Sequence, residues 1–302
     1  MLCAAIDIGS NTTRVLLAEP QDGQLRKVME QRAYTRIDKA SKRKGKITPA
    51  KIAEIADVVT TQVRLAQELG AEAVRIVATA AIREANNRDE VVEAVARACG
   101  APVEVLNEAE EGRLAFIGAT KTLGHPVTGD VGVVDVGGGS SEIVVGGVEE
   151  RMRSVHSFKI GSGALADEFL VNDPPSAAEI RAMRDHIADA FDGIDVEQPG
   201  QAVAVGGSAT SLRSLVGAVL EYETLERAVR VLSGDTIADV ARRFELDPQR
   251  VKILPAGVLI LEKLSEILGQ PLQIGKGGLR EGIILDLLNG SADGSRSEAL
   301  AA

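Results

Sequence analysis

The chain has 302 residues, a length whose prior is about two domains, with 45% hydrophobic and 26% charged residues, an ordinary balance for a soluble globular protein. A net charge of −10 and an aromatic content of 2% without Trp argue against a nonspecific nucleic-acid surface, which wants a basic face and stacking rings. Cys3 and Cys99 are too few for a disulfide framework, the N-terminus meets Asp7 where a secretory signal would continue apolar, and no apolar run approaches the ~18 residues of a membrane span. The expectation is a cytoplasmic, reduced protein with neither membrane nor nucleic acid as partner.

In chain order, the apolar runs on either side of Gly9-Ser10-Asn11 read as a strand pair, followed by a third strand near 24–33. A long amphipathic helix runs from about Pro49 to Leu69, with Thr48 ahead of the proline as a cap. AVRIVAT (73–79) reads as a buried strand, DEVVEAVARAC (89–99) as a helix, PVEVL (102–106) as a strand and EAEEGRLAFIGATKTL (108–123) as a helix. A second strand pair at 132–145 leads to a strand near 150–159, then to helices in IGSGALADEFL and PSAAEIRAMRDHIADAF. QAVAVGGSATSLRSLVGAV (201–219) is strand, glycine turn and helix; helices at 235–244 and about 249–268, a short strand PLQI and a last helix from Leu279 to Leu288 follow. Alternating strands and helices mean an α/β fold. The division expected is lobe one over 1–123, lobe two over 124–290 and a disordered tail over 291–302, with loop signals in GHPVTG (124–129) at the crossing and the last helix returning to lobe one.

Residues 4–17, AAIDIGSNTTRVLL, and 132–145, GVVDVGGGSSEIVV, align without gaps. Asp7 then matches Asp135, Gly9 matches Gly137, Thr12 matches Ser140, and Arg14 matches Glu142. Such a recurrence suggests two similarly built lobes with a ligand between them. Small residues after a strand let backbone N–H groups approach a phosphate, and a hydroxyl adds a donor. Three loops have that build: Gly9-Ser10-Asn11-Thr12, Gly137-Gly138-Gly139-Ser140-Ser141, and Gly206-Gly207-Ser208-Ala209-Thr210. Any one alone is equally a tight turn or a helix cap. Asp7, Asp135 and Glu142 beside such loops would repel phosphate unless a divalent cation stood between, so they are expected to hold Mg²⁺; capping a turn or pairing with a nearby cation is the alternative.

Six segments, AAIDIGSNTTR, ATAAIREA (78–85), VLNEAEEGRLAFIGA (105–119), VVDVGGGSSEI (133–143), AVGGSATSL (204–212) and GLREGII (278–284), together resemble the exopolyphosphatase and guanosine pentaphosphate phosphohydrolase family. That family lies within the acetate kinase, sugar kinase, Hsp70 and actin superfamily. The first and fourth segments are shared across the superfamily; the IREA, EEGRL and GLREG segments are more specific. The resemblance implies two ribonuclease H-like, actin-like lobes with a mixed sheet in each and an active-site cleft between them. It implies water attack on the terminal phosphorus of polyphosphate or of guanosine pentaphosphate (pppGpp), with Mg²⁺ or alternatively Mn²⁺ as cofactor, in a homodimer.

By position, the resemblance makes Glu111 the residue that orients or deprotonates the water, Asp135 and Glu142 the acids beside metal and phosphates, and Arg14 and Arg83 the cations on phosphate oxygens. Arg280 is a weaker match, equally readable as a solvated side chain or a lobe-to-lobe salt bridge. Asn107 with Glu110 three residues on would cap the helix, which accounts for Glu110 and leaves Glu111 for water. Release of orthophosphate from polyphosphate leads, pppGpp hydrolysis follows, and a noncatalytic regulator binding guanosine tetraphosphate (ppGpp) or an ATP-dependent kinase are the other classes.

Several features depart from the family pattern. Gly112 replaces the alanine common after the catalytic glutamate. DKASKRKGKI (38–47) carries Lys39, Lys42, Arg43, Lys44 and Lys46 where many relatives have a glycine-containing loop; it reads as a solvated loop or as a cationic wall for a polyanion. The absence of the further domains of longer relatives suggests shorter polyphosphates or nucleotides as substrate. His125, His156 and His186 are dispersed without zinc-ligand spacing, and His156 and His186 read as ordinary surface or packed residues.

Overall fold

The computed structural model describes residues 1–37, 42–124, 127–147 and 152–299, with the side chains of Lys42 and of residues beyond 290 excepted. Lys39, His125, the start of the strand expected near 150 and the last residues of the tail lie outside the described residues. The chain divides into one unit comprising Met1–Gly124 and Gly277–Ala302, and a second comprising His125–Lys276.

The first unit opens with β1 (Cys3–Ile8), β2 (Thr13–Gln21) and β3 (Gln24–Ala33), followed by the small hairpin β4 (Lys42–Arg43) and β5 (Lys46–Ile47). Then come α1 (Pro49–Glu68), β6 (Ala73–Ala78), α2 (Ala80–Arg83), α3 (Arg88–Cys99), β7 (Val103–Val105) and α4 (Glu108–Lys121). Its sheet runs β3-β2-β1-β6-β7, antiparallel through the first three strands and parallel from β1 to β6 to β7. The two-residue period of the strands sorts their side chains between two layers. Ala4, Ile6, Ile8, Val15 and Leu17 meet Ile55 and Val59 of α1 and Val91 and Val95 of α3. Cys3, Ala5, Leu16, Ala18 and Val77 meet Leu114 of α4 and, from the C-terminal helix, Ile283 and Ile284. Thr48 is the N-cap of α1 with proline following, although its side chain makes no capping hydrogen bond.

The second unit contains β8 (Asp130–Val136), β9 (Ser141–Gly147), β10 (Met152–Phe158), α5 (Ser162–Phe169), α6 (Ala177–Ala190), β11 (Gln201–Val205) and α7 (Gly206–Val216). It continues through β12 (Val219–Leu220), α8 (Tyr222–Gly234), α9 (Ile237–Phe244), α10 (Pro248–Leu268) and β13 (Leu272–Ile274). The sheet order is β10-β9-β8-β11-β13-β12, again three antiparallel strands followed by parallel pairing of β8 with β11 and β11 with β13. The chain is thus α/β with two mixed sheets of matching order, and the aligned segments of sequence are the first hairpin of each. The core of this unit gathers on α10, whose Leu254, Val258 and Leu261 are buried with Leu212 of α7 and Leu225 of α8. Helix α8 was not expected from the sequence, yet Leu225, Ala228 and Leu232 are its buried face, at helical spacing.

The chain ends with α11 (Leu279–Ala299). Residues from 277 group with the first unit, in line with the expected return of the last helix to lobe one, and the helix extends to Ala299 where a disordered tail was expected from 291. Helix α11 packs on α4 at backbone distance, because a Cβ at Gly118 would overlap the Gly278 carbonyl and one at Gly282 would overlap the Leu114 carbonyl. Asp286 then takes Arg75 Nη1 at 2.7 Å and Arg113 Nη2 at 2.8 Å. At the start of α11, Arg280 Nη1 donates to Glu30 Oε1 on β3 at 2.8 Å. Burial opposes ionisation of Glu30, but Arg280 and Lys27 outweigh it and pull its carboxyl down to about 2.

Two outcomes follow for stability. Gly282→Ala should cost about 1–3 kcal/mol by overpacking, whereas Gly290→Ala in the same helix, where nothing lies within 4 Å, should be neutral or gain up to about 1 kcal/mol in propensity. Thermal denaturation of both variants checks this, since each kcal/mol moves Tm by roughly 2–4 °C at this size; equal shifts would contradict the close α4–α11 packing. Because the folded Glu30 carboxyl is depressed from its ordinary 4.5 to about 2, its stabilising contribution is complete above pH 4.5 and is lost as pH falls toward 2. Glu30→Gln should therefore shrink the wild-type loss of stability across that window; an unchanged acid limb in urea titrations would show that the Arg280 link contributes nothing.

Candidate active site

In the first unit, the turn between β1 and β2 is closed by Gly9 N–H donating to Thr12 O at 3.0 Å. Ser10 and Asn11 give their carbonyls to the backbone amides of Ile37 and Arg36, at 2.6 and 3.1 Å, so the loop is braced from behind by the chain after β3. Thr12 Oγ1 accepts Arg14 Nε at 3.1 Å. Register sets Asp7 directly opposite Arg14, a cross-strand acid–base pair. The Oδ1 of Asp7 is nevertheless buried without a hydrogen-bond partner. Burial pushes the Asp7 carboxyl up, against the opposing pull of Arg280 and Arg14. Arg280, expected to be solvated, between lobes or on phosphate, is thus held within the first unit by Glu30 and lies in the field of Asp7.

The EEGR segment sits at the start of α4, where Asn107 is the N-cap and accepts the Glu110 amide at 2.8 Å. Glu110 is occupied by Arg113 Nε and Nη2, both at 2.8 Å. Glu111, only 9% exposed, turns inward and receives Arg83 Nη1 on Oε2 at 2.6 Å. The same Nη1 donates to the Leu106 carbonyl at 2.9 Å, while Arg83 Nε and Nη2 make no hydrogen bond among the described residues. The two residues to which the family resemblance gives separate roles, a carboxylate for water and an arginine for phosphate, are one ion pair. The guanidinium fixes the carboxylate with one nitrogen and retains donors for an anion.

In the second unit, Gly137 N–H donates to Ser140 O at 3.0 Å, the same closure as in the first hairpin. Here the loop is braced by the start of α5. Ser162 gives its amide and hydroxyl to Gly137 O at 2.9 and 3.0 Å, and the amides of Gly163 and Ala164 both reach Gly138 O at 2.9 Å. A Cβ at Gly161 would come within 2.5 Å of the Gly138 carbonyl carbon, so Gly161-Ser162-Gly163 belongs to the loop's architecture. Sequence reasoning passed over it, although small residues at a helix start were the available signal.

Register sets Asp135 directly opposite Glu142, so the position of Arg14 in the first hairpin holds a second acid in this one. Glu142 is 5% exposed and accepts Ser157 Oγ at 3.2 Å. Two carboxylates facing each other across strands repel unless a cation or protons compensate. Gly206, with φ of 80°, passes so close to Asp135 that a Cβ would overlap Oδ1, and the N-terminus of α7 thereby lies beside that carboxylate. Gly207 and Gly139 are half-buried in their loops. Ser208 departs from the expectation of a phosphate donor: it is 0% exposed, with its hydroxyl 3.3 Å from Ser162 Oγ and against Gly257. Thr210 and Ser211 bond back to the carbonyls of Gly206 and Gly207, at 2.9 and 2.8 Å.

Among the described residues no group of three or more His, Cys, Asp or Glu is arranged to hold a metal ion. Mg²⁺ does not require such a cage, since it usually takes one or two carboxylates and completes its shell with water and substrate phosphates. The unpartnered Asp7 oxygen and the opposed Asp135 and Glu142 have the chemistry for that kind of binding.

Comparison with known proteins places this architecture. The family model described as the Ppx/GppA phosphatase family matches residues 16–290. Exopolyphosphatase 2 of Mycobacterium tuberculosis is 30% identical, over 94% of this chain and 96% of that protein. A guanosine-5′-triphosphate,3′-diphosphate pyrophosphatase of Aeromonas hydrophila is 27% identical over 97% of this chain but 60% of its own length. Among solved structures, the Aquifex aeolicus member of the Ppx/GppA family superposes with a TM-score of 0.81 at 30% identity, over 96% of this chain and 98% of that one. By sequence and by fold, the chain belongs to the Ppx/GppA phosphatase family.

Proposed function

We propose that this protein is an exopolyphosphatase, releasing orthophosphate from the end of an inorganic polyphosphate chain. The observation that carries the reading is the buried Glu111–Arg83 pair at 2.6 Å, in a chain similar to exopolyphosphatases along most of its length. Glu111 orients the attacking water and takes its proton. A bond forms between the water oxygen and the terminal phosphorus, the anhydride bond to the next phosphate breaks, and the products are orthophosphate and a chain one phosphate shorter. Arg83 holds the Glu111 carboxylate with Nη1 and offers Nε and Nη2 to a terminal phosphate oxygen. In the first unit Arg14 and the amides of Gly9–Thr12 are the further candidate phosphate donors; in the second, the amides of Gly137–Ser140 form the equivalent loop, with Gly206 and Gly207 in the turn beside Asp135. Neutralisation of phosphate charge would come from Mg²⁺, or alternatively Mn²⁺, for which Asp7 is the candidate ligand in the first unit and Asp135 and Glu142 are the candidates in the second. Positioning and charge stabilisation of this kind are most of what phosphoryl transfer asks of a protein.

The same chemistry acts on the terminal phosphate of pppGpp, and the similarity to a protein named for that activity makes it the second reading. Among the described residues no helix is long and apolar enough to cross a membrane. A cytoplasmic location fits the two free cysteines and the net charge of −10, and a homodimer rests on the family resemblance alone.

Glu111→Gln should retain Mg²⁺-dependent binding of polyphosphate and lose roughly 10²- to 10⁴-fold in kcat, the usual contribution of a positioned general base. Near wild-type turnover would remove Glu111 from the mechanism. Orthophosphate release from polyphosphate, pppGpp and ATP, each with Mg²⁺ and with a chelator, ranks the substrates; exclusive release from pppGpp would replace the first reading with the second, and ppGpp binding without any release would leave a regulator.

A further inference from the structure

The hairpin β4–β5 joins neither of the larger sheets. Its turn residues Lys44 and Gly45 have φ of 50° and 76°, the left-handed pair of a type I′ turn, and this sets Arg43 directly opposite Lys46. Like charges facing each other across two strands are destabilising. Arg43, Lys44 and Lys46 are all exposed, and among the described residues none of them has an ion-pair partner. A lone hairpin of this size is marginal in water, so it must be held from outside.

Two asparagines hold it. Asn87 Oδ1 accepts the Ile47 amide at 2.9 Å, and Asn87 Nδ2 donates to the Ile47 carbonyl at 3.0 Å. The Asn86 amide donates to Gly45 O at 3.0 Å, and its Nδ2 to Lys44 O at 3.1 Å. Asn87 occupies the N-cap position of α3, where an asparagine normally accepts a helix amide, yet it makes no side-chain cap. Its amide goes to the hairpin instead. Both asparagines follow closely on Arg83, so the hairpin backbone is fixed to the segment that carries the Glu111 partner.

We propose that β4–β5 is a subsite for the outer phosphates of a polyphosphate chain, with Arg43, Lys44 and Lys46 as its cations and Asn86 and Asn87 as positioning residues. The inference rests on the exopolyphosphatase reading for its substrate. Three cations within one hairpin match a ligand that carries a charge at every phosphate. The hairpin offers no aromatic ring for a base to stack on, and the protein as a whole is acidic, which disfavours a nucleic acid there.

The test compares tripolyphosphate with a longer polyphosphate of defined length. Replacing Arg43, Lys44 and Lys46 together by Gln should raise KM for the longer chain about tenfold, the effect of losing three exposed ion pairs, and flatten its dependence on ionic strength. KM for tripolyphosphate should move less than about twofold by the same arithmetic. Asn87→Ala, which keeps every hairpin charge, should reproduce the chain-length-selective rise in KM. An unchanged KM for the longer chain in the triple variant, or an equal rise for both substrates, would overturn the subsite. Direct binding of the longer polyphosphate to wild type and variant, measured without turnover, separates the two proposals. Hairpin-dependent binding in a protein that releases no orthophosphate would support the subsite and sink the exopolyphosphatase reading. If single-stranded RNA binds as tightly and loses the same affinity in the variant, the surface is a nucleic-acid site and the proposal fails.

Discussion

The ion pair between Glu111 and Arg83 is the contact on which the reading of this molecule turns. Both side chains are largely shielded from water, and a shielded ion pair is weak evidence for stability, because desolvation offsets much of the attraction. The surroundings are built to sustain it all the same. Asn107 starts α4 at the register that points Glu111 inward, Arg113 draws Glu110 away, and the Leu106 carbonyl shares the same guanidinium nitrogen. An arrangement this specific, with guanidinium donors left over, suits a site where an anion completes the set.

The repeated hairpin supplies the second half of the logic. The closing hydrogen bond from glycine to the residue three on has the same length in both copies, so the turn itself is conserved in geometry while its flanking pair changes sign. In the first copy an acid faces an arginine; in the second an acid faces an acid. A fold that needed only a turn would gain nothing from opposing carboxylates. The Asp7 carboxyl differs again: its Oδ1 is buried without a hydrogen-bond partner.

Much of the fold was legible because periodicity and turn chemistry are local. The apolar runs in residues 3–8 and 13–21, the Pro49 helix start and the Asn107 cap were all readable, and the ungapped repeat disclosed the two matched sheets. What stayed hidden depended on partners distant in sequence. Nothing in GLREG says that Arg280 meets Glu30, and nothing near Gly118 or Gly282 says that two helices approach to backbone contact. Ser208 looked like a loop donor because its sequence neighbours are loop-like; the packing of α10 and Ser162 around it decides otherwise. Helix α8 is different, since its Leu225, Ala228 and Leu232 spacing was present and went unused. At the site, the family resemblance assigned Arg83 to phosphate and Glu111 to water, a choice that residue spacing alone would not have made, and neither showed that one holds the other.

That pairing is the central claim, and a double-mutant cycle on Arg83→Gln and Glu111→Gln, read as orthophosphate release under saturating polyphosphate, tests it most directly. Groups that act as a unit are strongly non-additive. The account predicts that the double variant is slowed by clearly less than the product of the two single losses, because without the carboxylate the arginine keeps only its contact with phosphate. Losses that multiply would mean that the two residues act independently, and the pair at 2.6 Å would then be incidental to the chemistry.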